Sequence, residues 1–213
     1  MTTGRGETSQ QRKKPCRSVM VVGIGGAGGN IAADLQSLCA LDGLGLAEQW
    51  LHIDTGPLQH RLSMVALSLA RKSTGGNAAI GLALAKRHRY LLAPLLAQAD
   101  IVILVAGLGG GTGSGMAPYI ARLARGAGAV TIAAVTLPFD FEGRRRRATA
   151  SIAVKRLRSR AEFVLTFSNQ ELIDFMGDTV QLADIYAQHG CRIAKWSRQF
   201  LVSPEFLCDQ TSP

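Results

Sequence analysis

The most constraining feature of this sequence is a dense run of glycines directly after a strongly apolar segment. Ile101–Ala106 is continuously apolar, which is typical of a strand buried on both faces of a parallel sheet. The next residues, 107–115, read GLGGGTGSG and lead into a helical pattern. Because so much glycine costs conformational entropy, we expect its backbone N–H groups to face a bound anion, assisted by the hydroxyls of Thr112 and Ser114.

A second glycine segment follows another predicted strand near the start of the chain. After the apolar run Ser18–Val22, residues 23–29 read GIGGAGG and contain the G-x-G-x-x-G spacing of nucleotide-binding loops. That motif alone is a weak signal, since close packing of a helix on a strand also requires glycine. Two such segments on separate strands suit a triphosphate held from two sides, whereas the G-x-x-x-x-G-K-[ST] sequence of P-loop nucleotidases is absent.

Strand and helix patterns alternate along the chain. The predicted strands cover residues 18–22, 49–53, 101–106, 130–136 and 163–167. The predicted helices cover residues 30–40, 78–96, the segment after 115 to about 125, 142–160, 171–176 and 180–200. This alternation predicts an α/β fold with a Rossmann-like parallel sheet and helices on both faces. Ligands of such sheets bind at the carboxyl ends of the strands, so we expect one site formed by residues 23–30, 54–57, 73–77, 107–115, 137–143 and 168–170.

Composition narrows the class of protein. The chain has 213 residues, of which 47% are apolar, and a formal net charge of +9. No apolar run reaches the ~18 residues of a membrane-spanning helix. The four cysteines lie too far apart for a zinc site or a disulfide framework, and no residue is assigned as a metal ligand on this evidence. These features predict a globular, cytoplasmic protein.

The basic residues are concentrated in two segments. Residues 1–17 carry five basic side chains against one acidic side chain and are predicted to be a disordered tail, and residues 142–160 carry eight against one. Either segment could bind an acidic partner or an anionic membrane surface, or could simply be solvated. No aromatic residue is interleaved with the arginines, so nucleic-acid binding is not expected.

Several segments together resemble the tubulin/FtsZ superfamily. Residues 109–115 are similar to the signature of that superfamily. The FtsZ branch is indicated by residues 22–30 (VGIGGAGGN), 75–77 (GGN) and 138–146 (PFDFEGRRR). The similarity runs from about residue 18 to residue 202, with the motifs in family order and at family spacing. It implies a GTP-binding domain over residues 18–178.

The resemblance also implies the residues of the site. Glu142 and Arg146 would contact the ribose side, close to the turn-forming Pro138, and Asn169 would read guanine. The residues expected around the phosphates are Gly25, Gly26, Ala27, Asn30, Thr74, Gly75, Gly76, Gly107, Gly109, Gly110, Gly111, Thr112 and Gly113. Simpler explanations stay open: Glu142 as a helix start, Arg146 as a solvated arginine and Asn169 as a helix cap.

Two positions depart from the family pattern. Residues 54–57 read DTGP where FtsZ-like proteins have an acid near the terminal phosphate, and Asp54 could replace it, so Mg²⁺ is a possible cofactor beside GTP or GDP. At the base, the family has an aromatic residue and then an aspartate, whereas this sequence has Ile185 and His189, with Tyr186 available to stack. A neutral histidine has one acceptor nitrogen and cannot accept two hydrogen bonds from guanine, as a carboxylate can. We therefore expect weaker base specificity, or a His189 that is a bystander on its helix.

The end of the sequence departs from the family most. Family members continue into a loop whose carboxylates activate water in the next subunit's pocket, and then into a second domain. The corresponding positions here are Cys208, Gln210 and Pro213, and only Asp209 is acidic. Residues 179–213 are therefore expected to form a long helix and a truncated end, with the second domain absent. We expect no catalytic residue in this chain and hydrolysis that is weak or dependent on a partner subunit.

These observations favour a truncated FtsZ-like protein that binds guanine nucleotide and associates with a polymerising FtsZ-type homologue in cell division or cytoskeletal assembly. Loss of a second domain should leave an apolar face on the terminal helix around Ile193, Trp196 and Phe200, a surface for that partner or for self-association. The alternatives are a self-assembling FtsZ-type GTPase with Asp209 as its acid, an NAD(P)-binding Rossmann protein with Asp54 at the ribose, and a scaffold that binds no nucleotide.

Overall fold

A computed structural model describes residues 18–41, 47, 49–56, 64–177 and 179–202, which form a six-stranded sheet and seven α-helices. The strands are β1 (Val19–Ile24), β2 (Gln49–Asp54), β3 (Val65–Ser68), β4 (Ile101–Gly107), β5 (Val130–Leu137) and β6 (Phe163–Ser168). The helices are α1 (Gly25–Leu41), α2 (Ala78–Arg87), α3 (Arg89–Leu96), α4 (Gly111–Gly126), α5 (Arg144–Arg158), α6 (Asn169–Met176) and α7 (Leu182–Val202).

All neighbouring strands are parallel, in the order β3-β2-β1-β4-β5-β6. Side chains of the central strands alternate between two apolar layers. Val21 packs with Ile193 of α7 in a layer that also includes α1. Val22 packs with Met116 of α4 in the opposite layer. The predicted α/β Rossmann-like parallel sheet with helices on both faces is therefore confirmed.

The helices after β1 and β4 begin earlier than the sequence predicted. The helix α1 starts at Gly25 and α4 at Gly111, so most of each glycine segment is helical rather than loop. Glycine has a poor helix propensity, but packing against a buried strand outweighs it here. The expectation of two extended glycine loops is corrected to two strand-to-helix turns.

Other element boundaries also differ from prediction. Residues 78–96 form two helices with His88 between them. The predicted helix at 142–160 is a 3₁₀ turn at Asp140–Glu142 followed by α5, and Gly143 between them has a φ of +92°, which ends the first turn. The edge strand β3 was not predicted, because four residues are too few to show a period.

The apolar face of α7 is only partly exposed. Ile193 is fully buried in the layer formed with α1, and the rings of Trp196 and Phe200 stack at a centroid distance of 4.9 Å. The Phe200 ring also contacts Phe163 of β6 edge-on at 4.9 Å. The prediction of an exposed apolar face is therefore wrong for Ile193, which α1 and the sheet cover, whereas Trp196 and Phe200 are only half-buried.

Some predictions lie outside the described residues. These are the basic tail at 1–17 and the end at 203–213, which includes Cys208, Asp209, Gln210 and Pro213. The domain boundaries placed after residues 17 and 178 stay predictions for the same reason.

Candidate functional site

A cavity of about 840 Å³ lies at the carboxyl edge of the sheet. Each of the six segments that the sequence assigned to one site contributes to its wall. The parallel register explains this convergence: Ile24 of β1 is level with Ala106 of β4, so both central strands end at the same height. The six segments therefore converge on one cavity, as the sequence predicted.

Two helix N-termini meet at one end of this cavity. This amide end consists of Gly25–Ala27 and Gly110–Gly113. A Cβ atom on Gly25, which has a φ of +73°, would lie 3.4 Å from the Cβ of Thr112 on the other helix. The first N–H groups of a helix have no partner within it, and the helix dipole adds partial positive charge. The amide end therefore suits a polyanion such as a chain of phosphates.

The glycines of both segments have two separate roles. A Cβ on Gly28 would overlap the carbonyl oxygen of Val105, and a Cβ on Gly113 would overlap that of Gly107. Gly26 and Gly110 line the cavity, and a Cβ on either would have no neighbour within 4 Å. Close helix–strand packing, which the sequence left as an alternative, thus explains some of the glycines. Those facing the cavity leave room for a ligand against the backbone.

Hydroxyl groups form a small network beside the amide end. The hydroxyl oxygen of Thr112 lies 3.0 Å from that of Thr55 and 3.5 Å from that of Thr74, and all three residues line the cavity. Ser114, which the sequence assigned to the anion site, does not line the cavity. Its hydroxyl instead accepts a hydrogen bond from the N–H of Gly109 at 2.8 Å and fixes the turn. Its assignment is corrected accordingly.

Asp54 is the carboxylate closest to this network. It ends β2, and its Oδ1 accepts a hydrogen bond from the N–H of Thr55 at 2.6 Å. Its Oδ2 lies 4.0 Å from Nε2 of His52, which also contacts the carbonyl oxygen of Gly25 at 3.3 Å. Asp54 therefore lines the cavity next to Thr55, with one carboxylate oxygen bound to the Thr55 N–H and the other near His52.

Glu142 and Arg146 form the middle of the wall. One carboxylate oxygen of Glu142 accepts a hydrogen bond from the N–H of Phe139 at 2.9 Å, and the other pairs with Arg146. Both side chains line the cavity. Glu142 therefore has the local capping role that was left open for it and a place at the site as well.

The opposite end of the cavity is mostly apolar. This apolar end is lined by Phe139, Phe141, Ile173, Val180, Leu182, Ile185 and Tyr186. The rings of Phe139 and Phe141 stack with centroids 4.9 Å apart. Burial, and then the Glu142 carboxylate, raise the pKa of the Tyr186 hydroxyl, which therefore stays protonated at neutral pH. Such a surface suits a flat, aromatic ligand group with a few polar edges.

One buried hydrogen bond joins Asn169 at the cavity to His189 behind it. Nε2 of His189 lies 2.8 Å from Oδ1 of Asn169. His189 is fully buried and does not line the cavity, so the prediction that it lies at the base is corrected. The helix-cap explanation of Asn169 is also wrong, because the cap of α6 is Ser168, whose hydroxyl accepts a hydrogen bond from the N–H of Glu171.

The predicted site residues divide into two groups. Those that line the cavity are Gly25, Gly26, Ala27, Thr74, Gly76, Gly107, Gly110, Gly111, Thr112, Gly113, Glu142, Arg146, Asn169 and Tyr186. Those that do not line it are Asn30, Gly75, Gly109, Pro138 and His189. Gly109, with a φ of +105°, packs against Pro138 and Arg146, and Gly75, with a φ of +57°, shapes the turn before α2. These two support the wall rather than face the cavity.

Most residues of the apolar end were not predicted from the sequence. Phe139, Phe141, Ile173, Val180 and Leu182 were not singled out, although all five line the cavity. One signal was present in the sequence, because Phe139 and Phe141 flank Asp140 directly after a buried strand. Ligands of parallel sheets bind at the carboxyl ends of the strands, so aromatic residues at that position were candidates for a ligand contact.

Comparison with known proteins identifies the family. Residues 18–177 match the model of the tubulin/FtsZ family GTPase domain. The chain belongs to the tubulin/FtsZ family. The match to this GTPase domain agrees with the two glycine segments that meet at one cavity. An NAD(P)-binding Rossmann protein needs only the first of these segments. The NAD(P)-binding alternative is therefore not supported.

Curated relatives are bacterial cell division proteins. The chain is 32% identical over 175 residues to the cell division protein FtsZ of Azotobacter vinelandii, covering 80% of this chain and 44% of the relative. It is 34% identical over 170 residues to FtsZ 2 of Rhizobium meliloti (strain 1021), covering 79% of this chain and 49% of the relative. The chain thus spans about half the length of these FtsZ proteins.

Solved structures of the same family share the fold. An empty FtsZ dimer of M. jannaschii superposes with a TM-score of 0.74 at 26% identity, covering 94% of this chain and 57% of that one. CetZ2 of Haloferax volcanii, described as a GTPγS-bound protofilament, has a TM-score of 0.77 at 26% identity, covering 91% of this chain and 61% of that one.

The described ranges contain no group of three or more histidine, cysteine, aspartate or glutamate side chains that could hold a metal ion unaided. None of the helices in those ranges is long and apolar enough to cross a membrane.

Proposed function

We propose that this chain binds a guanine nucleotide, GTP or GDP, in the cavity at the carboxyl edge of the sheet. The observation that carries the proposal is the meeting of two helix N-termini at the amide end of one cavity. Its volume of about 840 Å³ lies within the range of small-molecule sites. Membership of the tubulin/FtsZ GTPase-domain family supports the choice of guanine nucleotide.

The phosphates would lie at the amide end and the base at the apolar end. At the amide end, free N–H groups of α1 and α4 and the hydroxyls of Thr74 and Thr112 can donate to phosphate oxygens. At the apolar end, Tyr186 can stack on the base while Asn169 contacts its edge. Glu142 and Arg146, which also line the cavity, would contact the ribose side.

Hydrolysis by the 213-residue chain alone is expected to be slow, and we propose that it depends on a partner subunit such as an FtsZ-type homologue. Two described carboxylates line the cavity, Asp54 and Glu142. Glu142 is engaged by Arg146 and by the N–H of Phe139. Asp54 holds the N–H of Thr55. Both oxygens of Glu142 are thus occupied, and Asp54 is the carboxylate that we assign to Mg²⁺, so in this proposal the group that activates water comes from the partner.

Nucleotide binding and turnover of the pure chain test this proposal. GTP or GDP at one hundred times its Kd should stabilise the fold by about 2.7 kcal/mol, seen as a raised unfolding midpoint. Phosphate release from GTP should stay at the level of a protein-free blank, and a mixture with full-length FtsZ should release more phosphate than the same amount of FtsZ alone. Absence of stabilisation by both nucleotides would overturn the binding proposal, and turnover by the pure chain would overturn only the dependence on a partner.

A self-assembling GTPase is the second candidate. It is favoured by the solved relatives, one described as an FtsZ dimer and another as a CetZ2 protofilament. Its proposed acid, Asp209, lies outside the described residues. Sedimentation of the pure chain with GTP separates the candidates, because self-assembly would give fast-sedimenting polymer in the absence of any homologue.

Mg²⁺ binding with GTP depends, in our proposal, on Asp54. Mg²⁺ takes oxygen ligands and is commonly held by one or two carboxylates together with substrate phosphates. The Asp54 carboxylate and the neighbouring threonine hydroxyls at the amide end fit that chemistry. The ion would offset the negative charge of the phosphates.

The variant Asp54→Asn should lose most of the effect of Mg²⁺ on GTP affinity. We expect Mg²⁺ to tighten GTP binding about tenfold in the unmodified chain, which corresponds to about 1.4 kcal/mol, and less than threefold in Asp54→Asn. Titration calorimetry with and without EDTA measures this effect. The matched control is Asp140→Asn, an exposed carboxylate that pairs with Arg147 and does not line the cavity. An undiminished Mg²⁺ effect in Asp54→Asn would contradict the assignment.

The basic helix α5 supports a further, separate proposal. Arg144, Arg145, Lys155, Arg156 and Arg158 are exposed on it. Such a surface suits an acidic partner or an anionic membrane surface, and a purely solvated face is the alternative. Binding to vesicles with and without anionic lipid tests it, and the cytoplasmic location stays a prediction.

A further inference from the structure

The hydrogen bond between His189 and Asn169 fixes the tautomer of the histidine. Burial, and to a lesser degree the charge of Arg192, lower the pKa of His189 from 6.5 to about 4, so the ring is neutral near pH 7. A neutral imidazole has one N–H donor and one bare nitrogen. Nδ1 is buried without a partner, and a bare nitrogen there costs less than an unpaired N–H. The proton therefore lies on Nε2.

That tautomer in turn fixes the amide of Asn169. Nε2–H of His189 donates to Oδ1 of Asn169 at 2.8 Å inside the protein. Asn169 is 7% exposed and lines the cavity, whereas His189 is fully buried behind it. Because the carbonyl oxygen of the amide is engaged from behind, the group that Asn169 offers to a ligand is its NH₂ donor.

Among the described residues, the other polar groups near the apolar end do not offer a free carboxylate acceptor. The Tyr186 hydroxyl stays protonated, because burial and then the Glu142 charge raise its pKa. Glu142 is occupied by Arg146 and by the N–H of Phe139. Asp54, the other carboxylate among the described lining residues, lies at the amide end.

Guanine presents both acceptors and donors at its edge. Its N7 and O6 accept hydrogen bonds, whereas N1–H and the 2-amino group donate them. Hypoxanthine has the same acceptors and N1–H but lacks the 2-amino group. A site that reads the base with an N–H donor recognises the shared acceptors and gains nothing from the 2-amino group.

We propose that His189 is a positioning residue for base selection: by holding the Asn169 amide with its NH₂ toward the cavity, it makes the site accept guanine and hypoxanthine nucleotides alike. This inference rests on the proposed function, because it concerns the base of the nucleotide placed there. His189 acts through Asn169 and does not itself touch the ligand.

Binding of GTP and ITP to matched variants tests this inference. In the unmodified chain the two Kd values should agree within about threefold. His189→Gln keeps an N–H donor near the position of Nε2 and should preserve that ratio. His189→Leu removes the donor and frees Oδ1 to accept from the base, so GTP should become preferred by about tenfold, the value of one hydrogen bond of ~1.4 kcal/mol. If His189 had a purely structural role, His189→Leu would weaken the binding of GTP and of ITP equally.

A second variant keeps the test decisive if His189→Leu does not fold. Asn169→Asp keeps an oxygen for His189 and replaces the NH₂ with an acceptor of the same shape, so it should weaken GTP and ITP alike, by tenfold or more. Tighter GTP binding in Asn169→Asp, or a tenfold preference for GTP in the unmodified chain, would overturn this inference but not the proposed function. Failure of the unmodified chain to bind either nucleotide would overturn the proposed function as well.

Discussion

Alanine at Gly28 is expected to destabilise the fold by about 3 kcal/mol or more, whereas alanine at Gly26, two residues earlier on the same helix, should leave stability within about 1 kcal/mol. A Cβ on Gly28 would overlap the backbone carbonyl oxygen of Val105, and neither backbone can move without separating α1 from β4. A Cβ on Gly26 would meet nothing within 4 Å. Urea unfolding of both variants measures the difference.

The same pair separates packing from ligand binding. Gly26 lines the cavity at the amide end, so its alanine variant should fold normally but bind GTP about tenfold more weakly, since the methyl group occupies space beside the proposed phosphates. Equal stability of the two variants would show that Gly28 has no packing role. Unchanged GTP affinity in Gly26→Ala would mean that the phosphates do not approach this backbone.

Acid should destabilise the protein through His189 by up to about 3 kcal/mol more than it destabilises the variant His189→Gln. The pKa of His189 is about 4 in the folded chain, against 6.5 for an exposed histidine, so above pH 6.5 the ring is neutral in both states and contributes nothing. Between pH 6.5 and pH 4 the unfolded chain binds a proton that the folded chain does not. Stability therefore falls over this range and the effect levels off below pH 4.

The comparison with His189→Gln isolates this effect. Carboxylates also titrate at low pH, but they do so in both proteins and cancel in the difference. Glutamine keeps a donor for Oδ1 of Asn169 without titrating. Unfolding free energies measured at pH 7 and pH 4 should show the excess loss in the unmodified chain. Parallel pH profiles would show that His189 is not held neutral by burial.

The sheet and the position of the site were predictable because their signals are local. Ile101–Ala106 is apolar throughout, and a strand buried on both faces requires that composition. The glycine segments follow such strands directly. Because the carboxyl ends of parallel strands lie at one edge of the sheet, the two segments were expected to lie together. The hydroxyl of Thr112 was predicted at the cavity for the same reason, whereas Glu142 and Arg146 were expected there from the family resemblance.

The parts that could not be predicted depend on which way a side chain faces. Ser114 was assigned to the anion site with Thr112, but two residues along a helix rotate the side chain by about half a turn, and its hydroxyl binds Gly109 instead. His189 was aligned with a base-contacting residue, yet α7 turns it toward Asn169 and the interior. Ile193 was expected on an exposed face because the sequence does not show that α1 covers it.

The two ends of the cavity are built on different parts of the sheet. The amide end continues from β1 and β4, the neighbouring central strands, whose paired residues are buried throughout. The apolar end comes largely from α6, α7 and the segments beside them, which follow the edge strand β6. At the apolar end, Phe139 and Ile185 are buried with Leu172 in a small cluster that is separate from the two apolar layers on the central strands. A substitution beside the base therefore disturbs that small cluster, whereas one beside the phosphates disturbs the contact between a helix and the centre of the sheet.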